Sequence, residues 1–339
     1  MKSTIGIILG DPCGVGPEIV AKLLAADGIL DRARIVVVAD RDVFRAGQAA
    51  AGVDQSVIEV PAARLGEPHA GNPLLLHVSA GPVSNYRVGD ATAAGGRYAL
   101  ATLKTALDLA RAGTVDAVCY APLNKHALHL AGSPFPDEIL WIANELGHKG
   151  PLCDCTVLDG LWTARVTSHV PIADVSRHIT EARIIEVARL IHATLLRAGI
   201  RRPRISVSAL NPHAGDGGLI GREEIDVIAP AVEKLRSEGL PVDGPFSPDT
   251  VFLKGKAKEI DAVVTMYHDQ GQIAVKLMGF GRAITVIGGI EIPVTTPSQG
   301  TAFDIVGKGK AKVDGMRQAF SVACDMAEAR MKTQAALSA

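Results

Sequence analysis

Short β-branched runs alternate with longer helical patterns along all 339 residues, and this alternation restricts the chain to α/β architecture with a mainly parallel sheet. Residues 4–9, 35–39, 115–120, 205–210, 263–266 and 283–287 are expected as strands. Residues 95–112, 181–198, 221–239 and 313–336 are expected as helices. Gly113 and Gly199 follow two of these as C-terminal stops. Glu223 and Glu224 open a third, where acidic groups favour the helix dipole. Pro17 suits the first turn of a further helix. Residues 155–158 and 163–167 are expected to form a hairpin about Asp159-Gly160.

Composition agrees with this class. Apolar residues make up 47% and aromatics only 4%, as expected for parallel strands covered on both faces by helices. The length points to two domains, or to one large α/β unit with an insertion. A net charge of −1 offers no basic surplus for a nucleic-acid backbone, so no nucleic-acid partner is expected. No apolar stretch approaches the roughly 20 residues of a membrane span, and the N-terminal run lacks a signal-peptide pattern. The five cysteines include no Cys-x-x-Cys pair, and reduced thiols in the cytoplasm are the simple expectation. Cys153-x-Cys155 lacks the second ligand pair of a structural metal site.

Three histidines stand in Pro-, Gly- or Asp-bearing loops: His169 in Thr167-Ser168-His169-Val170-Pro171, His213 in Asn211-Pro212-His213-Ala214-Gly215-Asp216, and His268 in Tyr267-His268-Asp269-Gln270-Gly271. The last two follow expected buried strands. Ligands in α/β proteins bind at the carboxyl ends of strands. Three imidazoles converging there would hold a divalent cation with positions open to substrate. Spacing alone does not show that they meet.

Further groups surround this idea. Gly10-Asp11-Pro12-Cys13-Gly14-Val15-Gly16-Pro17-Glu18 joins a strand to a helix but is neither Gly-x-Gly-x-x-Gly nor a P-loop. Asn124 and Lys125 follow a strand, and Lys276 lies beyond His268, where it suits an anionic substrate group or a catalytic acid. Asp249 and Asp269 are candidate catalytic carboxylates, with a metal-bound water as the alternative base. Gly300, Thr301, Ala302 and Asp304 form a turn suited to a nucleotide.

Taken in this order, Gly14-Val15-Gly16-Pro17-Glu18, Pro122-Leu123-Asn124-Lys125, Leu210-Asn211-Pro212-His213-Ala214-Gly215, Tyr267-His268-Asp269-Gln270-Gly271 and Gly279-Phe280-Gly281-Arg282 resemble the 4-hydroxythreonine-4-phosphate dehydrogenase family. The resemblance covers nearly the whole chain. It implies two α/β domains with a cleft between them, similar to isocitrate and isopropylmalate dehydrogenases. Residues 1–130 with 297–339 would form the first, and residues 131–296 the second, with most metal ligands and the dimer interface. It implies a homodimer with shared active sites, a small-molecule substrate, NAD or NADP, and a divalent metal (Zn, Co, Ni, Mn or Mg). His169, His213 and His268 fall on the family's metal-ligand positions, Lys276 on a substrate-binding lysine, and the Gly300-Thr301-Ala302 segment on the adenosine-side loop. The implied reaction is oxidation of a secondary alcohol, followed by decarboxylation if the product is a β-keto acid.

The chain departs from the family at its substrate residues. An ungapped alignment puts Glu138 and Ile139 where the vitamin B6 enzymes carry His and Thr, Thr285 where they carry Asn, and Val294 where they carry Arg. Such a site should bind a phosphate dianion poorly. A non-phosphorylated diol or hydroxy acid, such as a cis-dihydrodiol carboxylate, is therefore the expected substrate. True 4-hydroxythreonine-4-phosphate oxidation and a four-carbon sugar-acid phosphate are the alternatives. A retired, non-catalytic metal-binding scaffold would have no reason to keep all three histidines and Lys276.

Overall fold

The β-branched runs become strands, each labelled here in chain order: β1 (Thr4–Ile8), β2 (Arg34–Ala39), β3 (Ile58–Glu59), β4 (Leu74–His77), β5 (Ala117–Tyr120), β6 (Cys153–Leu158), β7 (Leu161–Arg165), β8 (Ile205–Ser208), β9 (Val242–Phe246), β10 (Ala262–Thr265), β11 (Ile284–Gly288) and β12 (Val294–Pro297). The computed structural model describes residues 2–69 and 73–338. The chain divides into two units, Met1–Lys149 with Ile290–Ala339, and Gly150–Gly289. These divisions differ from the expected 130/131 and 296/297. Helix Glu138–Glu145 packs on helix Ala93–Arg111 within the first unit, and β12 pairs with β5 there.

In the first unit the strand order is β3-β4-β2-β1-β5-β12, and the pairings within it are parallel. β1 has β2 on one side and β5 on the other, so the sheet reverses its winding between β1 and β5. Such a switch point separates the loops that follow its two strands and leaves room for a ligand. Ile5, Ile7, Ile8 and Val36–Val38 are completely buried, which explains why these strands read as unbroken apolar runs. Helices Ala93–Arg111 and Asp314–Ser338 pack against this sheet.

In the second unit the order is β11-β6-β7-β10-β8-β9. β7, β10, β8 and β9 are parallel neighbours, whereas β6 runs antiparallel to both β7 and β11. β6 and β7 form the expected hairpin: Asp159 (φ 48°) and Gly160 (φ 90°) both take the left-handed conformation that a two-residue connection requires. Helix Glu181–Arg197 covers β6, β7 and β10, with Ile184, Ile191 and Leu195 fully buried. Among the described residues no helix is long and apolar enough to cross a membrane.

Candidate active site

Register places the histidines. β7, β10 and β8 are adjacent and parallel, so the segments after them leave the same edge of the second unit's sheet. Those segments carry His169, His268 and His213 in turn. Past the end of β7, Val166 N–H donates to Thr265 O (2.8 Å) and Thr167 N–H to Met266 O (3.1 Å), so the two chains stay together as they leave the sheet. The rings of His169 and His268 stand with centroids 5.9 Å apart and planes tilted by 40°. His268 Nδ1 is 2.7 Å from Asp269 Oδ1, which fixes the ring and leaves Nε2 for a ligand. Asp269, expected as a catalytic carboxylate, is thus engaged by its neighbour's ring.

The rings that meet, among the described residues, are those of His169 and His268. Among the described residues no three His, Cys, Asp or Glu side chains come together as a metal-holding group. The donor chemistry still suits a borderline divalent cation: bare imidazoles at a sheet edge, one oriented by a carboxylate. The cysteines are all buried and free, and without a cation their thiols stay protonated where burial raises them. Burial pushes the Cys13 thiol up to about 11 and those of Cys119 and Cys324 up to about 12. Cys155 is raised as well, first by its contact with Cys153 and then by burial.

The loop carrying His213 has an unusual backbone. His213, Ala214, Gly215, Asp216 and Gly217 have φ of 52°, 55°, 79°, 43° and 66°, a left-handed turn. Each non-glycine residue there costs roughly 1–2 kcal/mol. Glu224 anchors the start of this turn. It is 3% exposed; its Oε1 accepts from the backbone N–H of Leu210 and of Asn211 (both 2.8 Å), and its Oε2 accepts from Asn211 Nδ2 (3.0 Å). Gln270 then links this loop to that of His268, accepting from Met266 N–H (2.7 Å) and donating to Ala209 O (2.8 Å). Sequence reasoning gives neither residue this role, and marks Gln270 only as a polar residue after a strand. Glu224 reads as a helix-dipole residue, and nothing local distinguishes a buried anchor from a solvated first-turn acid.

In the first unit, two segments that the sequence presents as separate features form one structure. Val15 N–H donates to Thr301 O (3.0 Å), and a Cβ added to Gly14 would lie 2.8 Å from Thr301 Cβ. Gly14 is therefore needed for close approach of the Gly300–Asp304 segment, in which Ala302 is left-handed (φ 44°) and Asp304 is exposed. The turn also lies beside β5's exit: Asp11 N–H donates to Pro122 O (3.0 Å). Asn124 caps helix Lys125–Leu130 by accepting from Ala127 N–H.

Asp11 is 1% exposed, and burial raises its carboxyl from 3.8 to about 6, against the lowering effect of the Cys13 N–H it accepts. The folded state thus binds this proton more tightly than the unfolded chain. Stability from this group is complete below pH 4 and is lost as the pH rises to about 6, by up to about 3 kcal/mol. Asp11→Asn is expected to recover that amount at pH 7 and to match the parent at pH 4. Urea midpoints at the two pH values check this; an equal offset at both would exclude a titrating carboxylate.

The other expected site residues belong to both units. Lys276 is exposed in helix His268–Gly279, eight residues and about 12 Å of helix rise beyond His268. Asp249 is exposed after β9 and accepts from Ser247 Oγ (2.6 Å). Glu138 and Ile139 occupy the first turn of helix Glu138–Glu145, capped by Asp137. Thr285 lies in β11 opposite Thr156. Val294 is 0% exposed and paired with Val118 inside the first unit's sheet, so this side chain offers no donor to a substrate.

Comparison with known proteins completes the assignment. The family model "Pyridoxal phosphate biosynthetic protein PdxA" matches residues 31–323. The chain is 49% identical over 324 residues to "Putative 4-hydroxythreonine-4-phosphate dehydrogenase 2" of Pseudomonas aeruginosa, covering 95% of this chain and 96% of that one. It is 37% identical over 327 residues to "D-threonate 4-phosphate dehydrogenase" of Salmonella typhimurium, covering 96% and 99%. The crystal structure of 4-hydroxythreonine-4-phosphate dehydrogenase from Klebsiella pneumoniae superposes with a TM-score of 0.86 at 33% identity, covering 96% and 98%. A terephthalate 1,2-cis-dihydrodiol dehydrogenase from Burkholderia xenovorans gives 0.65 at 31%, covering 95% and 98%.

Fold, site and relatives together define an oxidoreductase, an NAD(P)- and divalent-metal-dependent dehydrogenase acting on a CH–OH group. The chain belongs to the PdxA family. The stronger matches carry phosphate-ester names while the dihydrodiol enzyme matches less well, so the comparisons favour the phosphorylated alternative over the expected non-phosphorylated substrate.

Proposed function

We propose that this enzyme oxidises the secondary alcohol of a phosphorylated four-carbon hydroxy acid, either 4-hydroxythreonine 4-phosphate or D-threonate 4-phosphate. The observation that carries this reading is the full-length similarity, 49% and 37% identity over at least 95% of the chain, to proteins named for such substrates. A divalent cation would supply Lewis acidity toward the hydroxyl, and a nicotinamide dinucleotide would supply the hydride acceptor. His169, His213 and His268 would hold the cation, and Gly300, Thr301, Ala302 and Asp304 the dinucleotide. Asp269 orients the His268 ring. Lys276 takes an anionic end of the substrate. With Asp269 committed to His268, Asp249 or a water receives the hydroxyl proton. An alcohol β to the carboxylate becomes a β-keto acid on oxidation, and such acids lose CO₂.

A homodimer belongs to the same proposal. Ile273, Leu277 and Phe280 recur at helical spacing along the end of helix His268–Gly279 and are 59%, 83% and 84% exposed. A second copy would cover this stripe. It would also complete a site whose histidine pair and Lys276 stand apart within one chain. Sedimentation equilibrium reads the mass directly, and a monomer at micromolar concentration would refute this part.

The substrate test follows NADH production by metal-loaded protein with 4-hydroxythreonine 4-phosphate, D-threonate 4-phosphate and a cis-dihydrodiol carboxylate. Turnover of either phosphate ester, and none of the dihydrodiol, is expected. Turnover of the dihydrodiol alone would overturn the proposal.

A further inference from the structure

We infer that Glu224 is the positioning residue for the metal site, holding the strained His213 turn in the conformation that presents its imidazole. This inference rests on the metal reading above and adds to it a residue that touches neither metal nor substrate. The left-handed run from His213 to Gly217 includes three residues with a Cβ, so local preference opposes it. Strained backbone of this kind persists only where surrounding contacts over-determine it. Glu224 supplies those contacts from one side chain. It accepts from the backbone N–H of both residues that lead into the turn, Leu210 and Asn211, and from the Asn211 amide.

The geometry extends into the turn itself. A Cβ placed on Gly215 would lie 2.7 Å from Glu224 Oε2, so the middle of the turn lies against the same carboxylate. Asn211 Nδ2 donates also to Glu223 Oε2 (2.7 Å), so neighbouring carboxylates grip one amide. Glu224 begins a π-helical stretch, Glu224–Ile228, before helix Ala229–Ser237 resumes normal winding. Such departures recur at functional sites. The carboxylate is nearly inaccessible to solvent, and its acceptor capacity is directed at the histidine loop rather than at the helix to which it belongs.

Partners that orient metal ligands typically change metal affinity about 10–100-fold when removed. The test uses the full-length protein and Co²⁺, whose visible absorption reports ligand geometry and whose affinity is read by competition with a chromophoric chelator. Glu224→Ala is expected to weaken Co²⁺ binding by about 10–100-fold and to alter the absorption band, while NADH binding, read by fluorescence, stays at the parent value. Glu224→Gln keeps an oxygen for the two backbone N–H groups and is expected to restore most of the affinity. A folded Glu224→Ala protein with parental affinity and spectrum would overturn the inference.

If Glu224→Ala does not fold, Asn211→Ala and Glu224→Gln carry the test. A weakened, shifted Co²⁺ spectrum in Asn211→Ala, with near-parental Glu224→Gln and an unchanged apo melting temperature, supports the role, and a parental spectrum in Asn211→Ala refutes it. His213→Ala measured alongside separates the two claims. If that variant keeps Co²⁺, the metal reading itself fails. If it loses Co²⁺ while Glu224→Ala does not, only the positioning role fails.

Discussion

His213→Ala is expected to lower turnover by about three orders of magnitude, or ~4 kcal/mol of barrier, and to lose most metal affinity while the protein stays folded. The ring is exposed, so its removal opens no cavity, and surface changes of this kind stay within about 0.5 kcal/mol. Backbone strain is also retained, because alanine has the same Cβ penalty at φ 52° that histidine has. His213→Gly provides the complementary control. It removes the ring and the penalty together, so it should be as inactive as the alanine variant yet more stable by about 1 kcal/mol. Chelator competition, NADH production and urea unfolding measure the three quantities. A His213→Ala protein with full activity would remove this residue from the metal site.

Gly14→Ala is expected to weaken NADH binding by at least about tenfold, ~1.4 kcal/mol, and to leave Co²⁺ binding in the second unit unchanged. The backbone at Gly14 does not need a left-handed conformation, so alanine introduces no intrinsic strain. Its methyl group meets Thr301 instead, 2.8 Å from Cβ and 2.9 Å from the carbonyl oxygen. Thr301 must retreat, which weakens the Val15 N–H bond to that carbonyl and moves the turn proposed to hold the dinucleotide. Gly16→Ala would be a poor probe, because its Cβ would lie 2.0 Å from Leu9 O and disturb the fold itself. Fluorescence titration with NADH decides the matter. Parental affinity in a folded Gly14→Ala protein would dissociate the Gly300–Asp304 segment from cofactor binding.

The α/β class was legible because its signals are local. Strands buried on both faces must be apolar and β-branched along their length, and residues 35–39 show this without reference to any neighbour. The Asp159-Gly160 turn was legible for the same reason, since few residue pairs tolerate two left-handed conformations in succession. β4, β9 and β12 were not. Each is short, and β9 contains Gly244 and Pro245, so its strand character comes from pairing with β8. Helix 221–239 was legible in extent but not in its π-helical opening, which accompanies the turn of Glu224 toward Leu210 and Asn211.

The histidine loops were likewise legible as strand-end segments rich in Pro, Gly and Asp. Their meeting was not. His169 and His268 are separated by 99 positions, and only the parallel register of β7 with β10 brings their rings to 5.9 Å. Resemblance to the family marks Val294 as standing where an arginine would be, and only the fold shows that it pairs with Val118 and is buried in a sheet. The sequence by itself determined which segments are strands, which loops carry imidazoles, and which family the chain resembles, because each depends on neighbours a few residues away. Only the tertiary structure decided which strand ends lie side by side, that Thr301 rests on Gly14, and that Glu224 serves the His213 turn. Those contacts depend on pairing between distant segments, and residue type alone does not encode it.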